Sequence, residues 1–234
     1  MPVEEYRVAL WRRMVRPVMM AALRGVFRTL TSVKVNGVGN VPIGQAYVAV
    51  INHISTFDGP FAGAFWPEIL EAIGAIEVWQ RPGQRILAFL YGGIPVHRGD
   101  YDRAMFDRAL SALRSGRPLM MAPEGGRSHT PGLRQAKAGV AFILDEARVP
   151  IVPVGIVGAT DDLWRRASHF QRPHLEMHIG EPFCLPPIQG RGAERRRARQ
   201  ENADRVMIHI AALLPEEYRG VYSAGAAGLE QTGI

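Results

Sequence analysis

Tyr47-Val-Ala-Val-Ile-Asn-His-Ile-Ser-Thr-Phe-Asp-Gly-Pro60 runs from an unbroken apolar stretch through a polar turn to a helix start. Five consecutive apolar residues leave no polar face, so the stretch reads as a buried strand of the kind found in parallel sheets covered by helices. The same alternation continues along the chain. Apolar, β-rich runs occur at 33–38, 47–51, 75–79, 94–96, 119–122, 151–157 and 175–179, and helical stretches lie at 60–73, 83–90, 101–114, 136–147 and 161–170. The pattern predicts an α/β fold: a mixed, largely parallel sheet of about seven strands flanked by helices. In such a fold the loops at strand ends carry the site.

The chain has 234 residues, 47% hydrophobic and 21% charged, which suits one folded α/β domain and excludes a disordered or fibrous chain. With 28 Lys and Arg against 22 Asp and Glu, the formal charge is +6, and the pI near 10.0 points to anionic partners. Cys184 is the single cysteine, so an intramolecular disulfide framework is excluded and a reducing cytoplasm is expected.

Between Tyr6 and Phe57 there is no acidic residue. Trp11, Met14, Val15 and Val18 form an apolar stripe at helical spacing, with Arg12, Arg13 and Arg16 on the opposing arc. Pro17 should split this helix, and a second stripe follows at Met20, Leu23, Phe27 and Leu30. Residues 1–31 therefore read as an amphipathic two-helix segment. It either packs on the domain with a solvated basic face or lies on an anionic membrane surface, cations against the headgroups. Arg24 and Arg28 interrupt the apolar run 17–30, so no membrane span is expected, and Glu4 and Glu5 argue against a secretory signal. The main domain should cover 32–215, ending in a helix with a basic start at Arg195, Arg196, Arg197 and Arg199. The Gly/Ala-rich stretch 216–234 should be a flexible tail.

His53 stands at a strand end, five residues before Asp58. Five residues turn a helix by about 140° net, so a continuous helix would not pair them, but a turn can. An imidazole with a carboxylate on its second nitrogen has the fixed tautomer and basicity to take a proton from an alcohol. The plain alternative is a loop histidine and a helix cap. Leu119-Met-Met-Ala-Pro-Glu-Gly-Gly-Arg-Ser128 places Glu124, Gly125, Arg127 and Ser128 after another buried strand. Glycine amides, a hydroxyl and a guanidinium suit a phosphate; turn chemistry beside an incidental arginine is the simpler account. Neither a Walker A nor a dinucleotide fingerprint occurs in these loops. His174, Glu176 and His178 share one strand face and could ligate a metal, but a solvated outer face explains the pattern without one. The arginine cluster at 195–199 has no nucleic-acid motif beside it.

Taken in order, these blocks resemble the 1-acylglycerol-3-phosphate acyltransferase family. Asn52-His53-Ile-Ser-Thr-Phe-Asp58 is similar to its His-x4-Asp motif, and Gly92 to Arg98 to its Gly-x-Ile-x-x-x-Arg block. Pro123-Glu124-Gly125-Gly126-Arg127-Ser128 resembles Pro-Glu-Gly-Thr-Arg-Ser, and Val149 to Val154 the Val-Pro-Ile-Val-Pro-Val strand. Lys137 and Gly139 sit where the family has Lys-x-Gly. The resemblance covers about residues 35–160 and implies transfer of an acyl group from acyl-CoA or acyl carrier protein to a lysophospholipid, most simply 1-acylglycerol-3-phosphate. It implies no metal or other cofactor, and a peripheral place on the inner face of the plasma membrane. His53 and Asp58 would be catalytic; Arg98, Glu124, Gly125, Arg127, Ser128 and Lys137 would bind substrate. Gly126 departs from the pattern by lacking a hydroxyl, which bears on the acceptor. Other lyso-acceptors, or a non-catalytic membrane or carrier-protein binding module, are the alternatives.

Overall fold

An apolar strand without a polar face must be covered on both sides, and β2 (Val48–Ile51) is buried along its whole length. In the computed structural model, which describes residues 6–97 and 102–232, it lies at the middle of one seven-stranded sheet. The strands are β1 (Ser32–Asn36), β3 (Glu71–Ala75), β4 (Ile94–Val96), β5 (Leu119–Met121), β6 (Ile151–Val157) and β7 (His174–Ile179), in the order β1-β7-β6-β2-β5-β3-β4. Neighbours are parallel except β6 and β7. Successive residues of β2 serve opposite cores. Val48 and Val50 face α4 (Arg103–Arg114), α5 (Ala138–Ala147) and α7 (Gly192–Ala211), while Ala49 and Ile51 face α1 (Leu10–Leu30) and α2 (Asp58–Phe65). The α/β architecture expected from the alternation is present.

Local differences have local causes. The helix expected over 60–73 stops at Phe65 because Trp66 precedes Pro67 and adopts an extended backbone (φ −71°, ψ 144°). The strand expected at 75–79 is consequently displaced to β3, and a 3-10 turn follows at Ile76–Trp79. Between β3 and β4 runs α3 (Gln84–Tyr91). On β7, Glu176 takes both neighbouring imidazoles, His174 Nε2 and His178 Nε2 each at 2.8 Å. Among the described residues no group of three or more His, Cys, Asp or Glu side chains is placed to hold a metal ion.

The N-terminal segment is one helix rather than two, with Pro17 inside α1. An interior proline costs an isolated helix about 3 kcal/mol, and tertiary contacts on either side offset it. Arg16, 2% exposed, meets Glu71 through both guanidinium nitrogens (2.8 and 2.9 Å) and donates to Tyr91 O at 2.6 Å. Met20 and Phe27 are buried farther along. Most of the first apolar stripe faces outward: Trp11, Met14 and Val18 are 42%, 69% and 70% exposed, with Trp11 against Phe89 of α3 and Val15 half-buried. Arg16, from the opposing arc, is the residue that goes inside.

The stretch 216–234 is not a flexible tail where it is described. It forms α8 (Glu216–Arg219), a 3-10 turn (Gly220–Tyr222) and α9 (Ser223–Thr232), following α6 (Leu163–Ser168) and α7 in chain order. Buried Tyr222 donates to Asp204 (2.6 Å) and accepts from Ala136 N (3.0 Å), and Tyr218 Oη accepts from Gly158 N (3.1 Å). A Cβ at Gly225 would lie 2.8 Å from Ile208 Cγ1, so small residues let α9 approach α7. Glycine and alanine here signal close packing, not disorder.

Candidate active site

β2 and β5 are parallel and end together, so the loops that follow them meet. Beyond the last ladder pair, buried Asn52 continues the sheet with its side chain, donating to Ile156 O (2.9 Å) and accepting from Ile156 N (2.7 Å). This brace sets where His53 leaves the sheet. The chain then reverses so that Asp58, at the first position of α2, points back. Asp58 Oδ2 accepts from His53 Nδ1 (2.9 Å), Ile54 N (2.7 Å) and Ser55 N (2.9 Å). Because that carboxylate oxygen also accepts from two amides, Nδ1 is the ring nitrogen that donates to it, and in the neutral imidazole the lone pair is then on Nε2. Asp58 is fully buried and His53 is 21% exposed, so the pair opens at the imidazole end only.

Burial pushes the Asp58 carboxyl above the usual carboxylate range, while the His53 ring and the Ser55 and Ile54 amides pull it back. Glu124 is raised as well, chiefly by burial. For an acid whose folded pKa lies above its unfolded value, stability falls as pH rises through that window and stays lost above it. For both carboxyls burial acts in that direction, and the amides that bond them act against it.

Glu124 is a brace rather than a lining group. Its Oε1 accepts from His53 N (2.9 Å) and its Oε2 from Arg134 N (3.1 Å), which ties the loop after β2 to the loop after β5. Ser128 N and His129 N complete the seam by donating to His53 O (2.8 Å) and Ile54 O (3.1 Å). Gly125 has φ +65°, and a Cβ there would sit 3.0 Å from Lys137 Cγ, so glycine lets the Lys137 stem cross this turn. The Ser128 hydroxyl donates to Thr130 O (2.6 Å) within its own loop. Arg127, 18% exposed, lies 3.8 Å from Asp161, which also receives His129 Nδ1 at 2.7 Å. Arg98 lies outside the described residues.

The structure therefore brings His53, Asp58, Glu124, Arg127 and Ser128 into one loop cluster, with Lys137 beside Gly125. Spacing along the chain does not reveal Arg134, which folds back within the loop after β5 to bond Gly126 O at 2.6 Å, or Asp161, which the end of β6 brings to His129. The amides of His53, Ile54, Ser55 and Phe57 are all engaged, so an oxyanion would need other donors. An oriented imidazole with an open Nε2, backed by a buried carboxylate, is equipped to deprotonate a hydroxyl.

A model of the family described as Acyltransferase matches residues 32–157, more than half of the sequence. The chain belongs to the acyltransferase family. The acyltransferase is 26% identical over 163 residues to human 1-acyl-sn-glycerol-3-phosphate acyltransferase alpha, covering 68% of this chain and 56% of that protein. It is 25% identical over 178 residues to the lyso-ornithine lipid O-acyltransferase of Pseudomonas aeruginosa, covering 71% and 68%. The chain thus spans a little over half the length of the human relative. The crystal structure of the 1-acyl-sn-glycerophosphate (LPA) acyltransferase PlsC from Thermotoga maritima superimposes with a TM-score of 0.57 at 21% identity, over 85% of this chain and 83% of that one, and so shares the fold. The family resemblance carried by the four motifs is borne out.

Proposed function

We propose that the chain transfers a fatty acyl group from a thioester donor, acyl-CoA or acyl carrier protein, to the hydroxyl of a lysophospholipid, with 1-acylglycerol-3-phosphate as acceptor and phosphatidic acid as product. The observation that carries this reading is the His53–Asp58 pair with its open Nε2. Nε2 takes the acceptor hydroxyl proton as that oxygen bonds to the thioester carbonyl carbon. The tetrahedral adduct then expels the thiolate, which receives the proton from Nε2 and leaves as thiol. Asp58 holds the ring and offsets the imidazolium charge in between. No metal or further cofactor enters this scheme. Arg127, with Arg98, would hold the acceptor phosphate, Ser128 and Lys137 would border it, and Glu124 and Gly125 would shape the loop.

Both substrates are amphiphiles, and the outer face of α1 supports work at a membrane surface. Leu10, Trp11, Met14 and Val18 lie exposed beside Ile86 and Phe89 of α3, with Trp11 and Phe89 5.7 Å apart. An apolar patch joined across two helices and rimmed by arginines suits an interfacial helix. Among the described residues no helix is long and apolar enough to cross a membrane. We place the chain as a peripheral protein on the inner face of the plasma membrane.

Purified chain assayed with a panel of lyso-acceptors, comparing acyl-CoA with acyl carrier protein, tests the reading. No transfer to any acceptor would refute it. Arg127→Ala should raise the acceptor KM roughly ten- to hundredfold, the worth of a hydrogen bond to a charged group, and leave the donor KM unchanged. Equal effects on both would count against the assignment.

Gly126 and Asp161 favour a second reading, in which the acceptor is a different lyso-lipid. The Asp161 carboxylate beside Arg127 competes with a phosphate but would attract an ammonium, as an ornithine head group offers. Asp161→Asn should therefore lower the KM for a phosphorylated acceptor about two- to fivefold, since the 3.8 Å contact with Arg127 is long and its Asp161 side is solvated. A rise would identify an acceptor bearing positive charge.

A further inference from the structure

Away from His53, a groove of about 650 Å³ runs between the C-terminal half of α1, the end of α2 and the edge strand β1. Val33, Val35 and Phe65 line its floor, and Arg24, Arg28 and Arg172 stand around it. Arg24 Nε donates to Ala64 O at 2.6 Å and so caps α2, and Arg172 reaches Arg28 O and Thr31 O at the end of α1 (3.4 and 3.5 Å). Arg24 and Arg28 share the Phe65 ring, at 5.8 and 5.6 Å from its centroid. Among the described residues none of the three arginines has a carboxylate within 4.0 Å.

Capping explains part of this arrangement. A helix C-terminus offsets about half an elementary charge, so two of them leave most of the positive charge of three guanidiniums unmatched. Three like charges around an apolar floor fit a ligand that is anionic at one end and hydrocarbon at the other. We infer that this groove seats the phosphate headgroup of an acidic membrane phospholipid, with its first apolar carbons against Val33, Val35 and Phe65. The occupant comes from the bilayer, since a free phosphate would have no use for the floor. The inference rests on the reading that α1 lies at a membrane surface, and it adds a lipid contact separate from the acceptor loop.

Flotation with phosphatidylcholine vesicles, with and without phosphatidylglycerol, tests it. The wild-type chain should bind the acidic vesicles at least tenfold more tightly. Near a charged bilayer each arginine removed should cost about fivefold, so Arg24→Gln/Arg28→Gln/Arg172→Gln should abolish the preference and keep binding to neutral vesicles. Arg28→Gln alone, whose guanidinium caps no helix, should lose about fivefold without any change in melting temperature, which separates the charge effect from misfolding. Retention of the full preference by both variants would overturn the site while leaving membrane binding intact. Wild-type binding to neither vesicle would overturn the membrane reading itself. Competition by inorganic phosphate with no vesicle preference would assign the groove to a soluble anion instead. Acyl transfer to detergent-dispersed acceptor should be unchanged in Arg28→Gln, so loss of the proposed activity is a separate result.

Discussion

His53→Ala should lower acyl transfer about 10² to 10⁴-fold, the usual worth of a positioned proton-transfer group, while the chain stays folded. The imidazole is removed, but the bonds that shape its loop survive: Glu124 is held by the His53 amide, Ser128 N by the His53 carbonyl, and Asp58 by the amides of Ile54 and Ser55. Turnover should therefore fall with little change in donor or acceptor KM and an unchanged circular dichroism spectrum. The check is kcat and KM for both substrates beside a thermal melt. Wild-type turnover in the variant would remove His53 from the mechanism; lost turnover with a collapsed melt would make the residue structural.

The largest expected effect on stability lies at the opposite ends of the strands. Glu71, at the start of β3 and 1% exposed, receives Arg16 through both oxygens, Arg117 at 3.1 Å and the Tyr6 hydroxyl at 2.7 Å. Burial beside Glu71 pushes the Tyr6 hydroxyl upward, so it remains a donor across the neutral range. Glu71→Gln leaves the Arg16 guanidinium buried with no countercharge, and breaking a buried pair from one side costs about 3–5 kcal/mol. Urea unfolding at neutral pH should show that loss as a lower midpoint. Arg16→Met/Glu71→Met, which removes both charges, should recover much of it. A loss below about 1 kcal/mol in the single variant would mean that water or Arg117 already compensates Arg16.

The residues that were legible in the sequence are those whose surroundings are themselves local. The apolar run before His53 dictates a covered strand, and the return of Asp58 onto His53 spans only five residues. What was not legible depends on partners far along the chain. Arg16 reads as part of a polar arc until β3 supplies Glu71. Asp161 joins the candidate site only because the ends of β5 and β6 coincide, and Arg134 only because its loop folds back on Gly126. The tail reads as flexible because glycine and alanine give no periodic signal, yet a small residue at Gly225 is what brings α9 against Ile208. Gly126 was visible as a departure, and its carbonyl turns out to be held by Arg134.

Pro17 sits one residue after the deepest anchor of α1, where a break in the backbone ladder would ordinarily invite a hinge. Arg16 closes that option by clamping the helix to β3 and to Tyr91 at the same turn. That clamp ties the turn at the proline to β3 and to the end of α3. If α1 lies on a surface as proposed, an anchor at this turn would pass the tilt of the helix on to the sheet that carries His53.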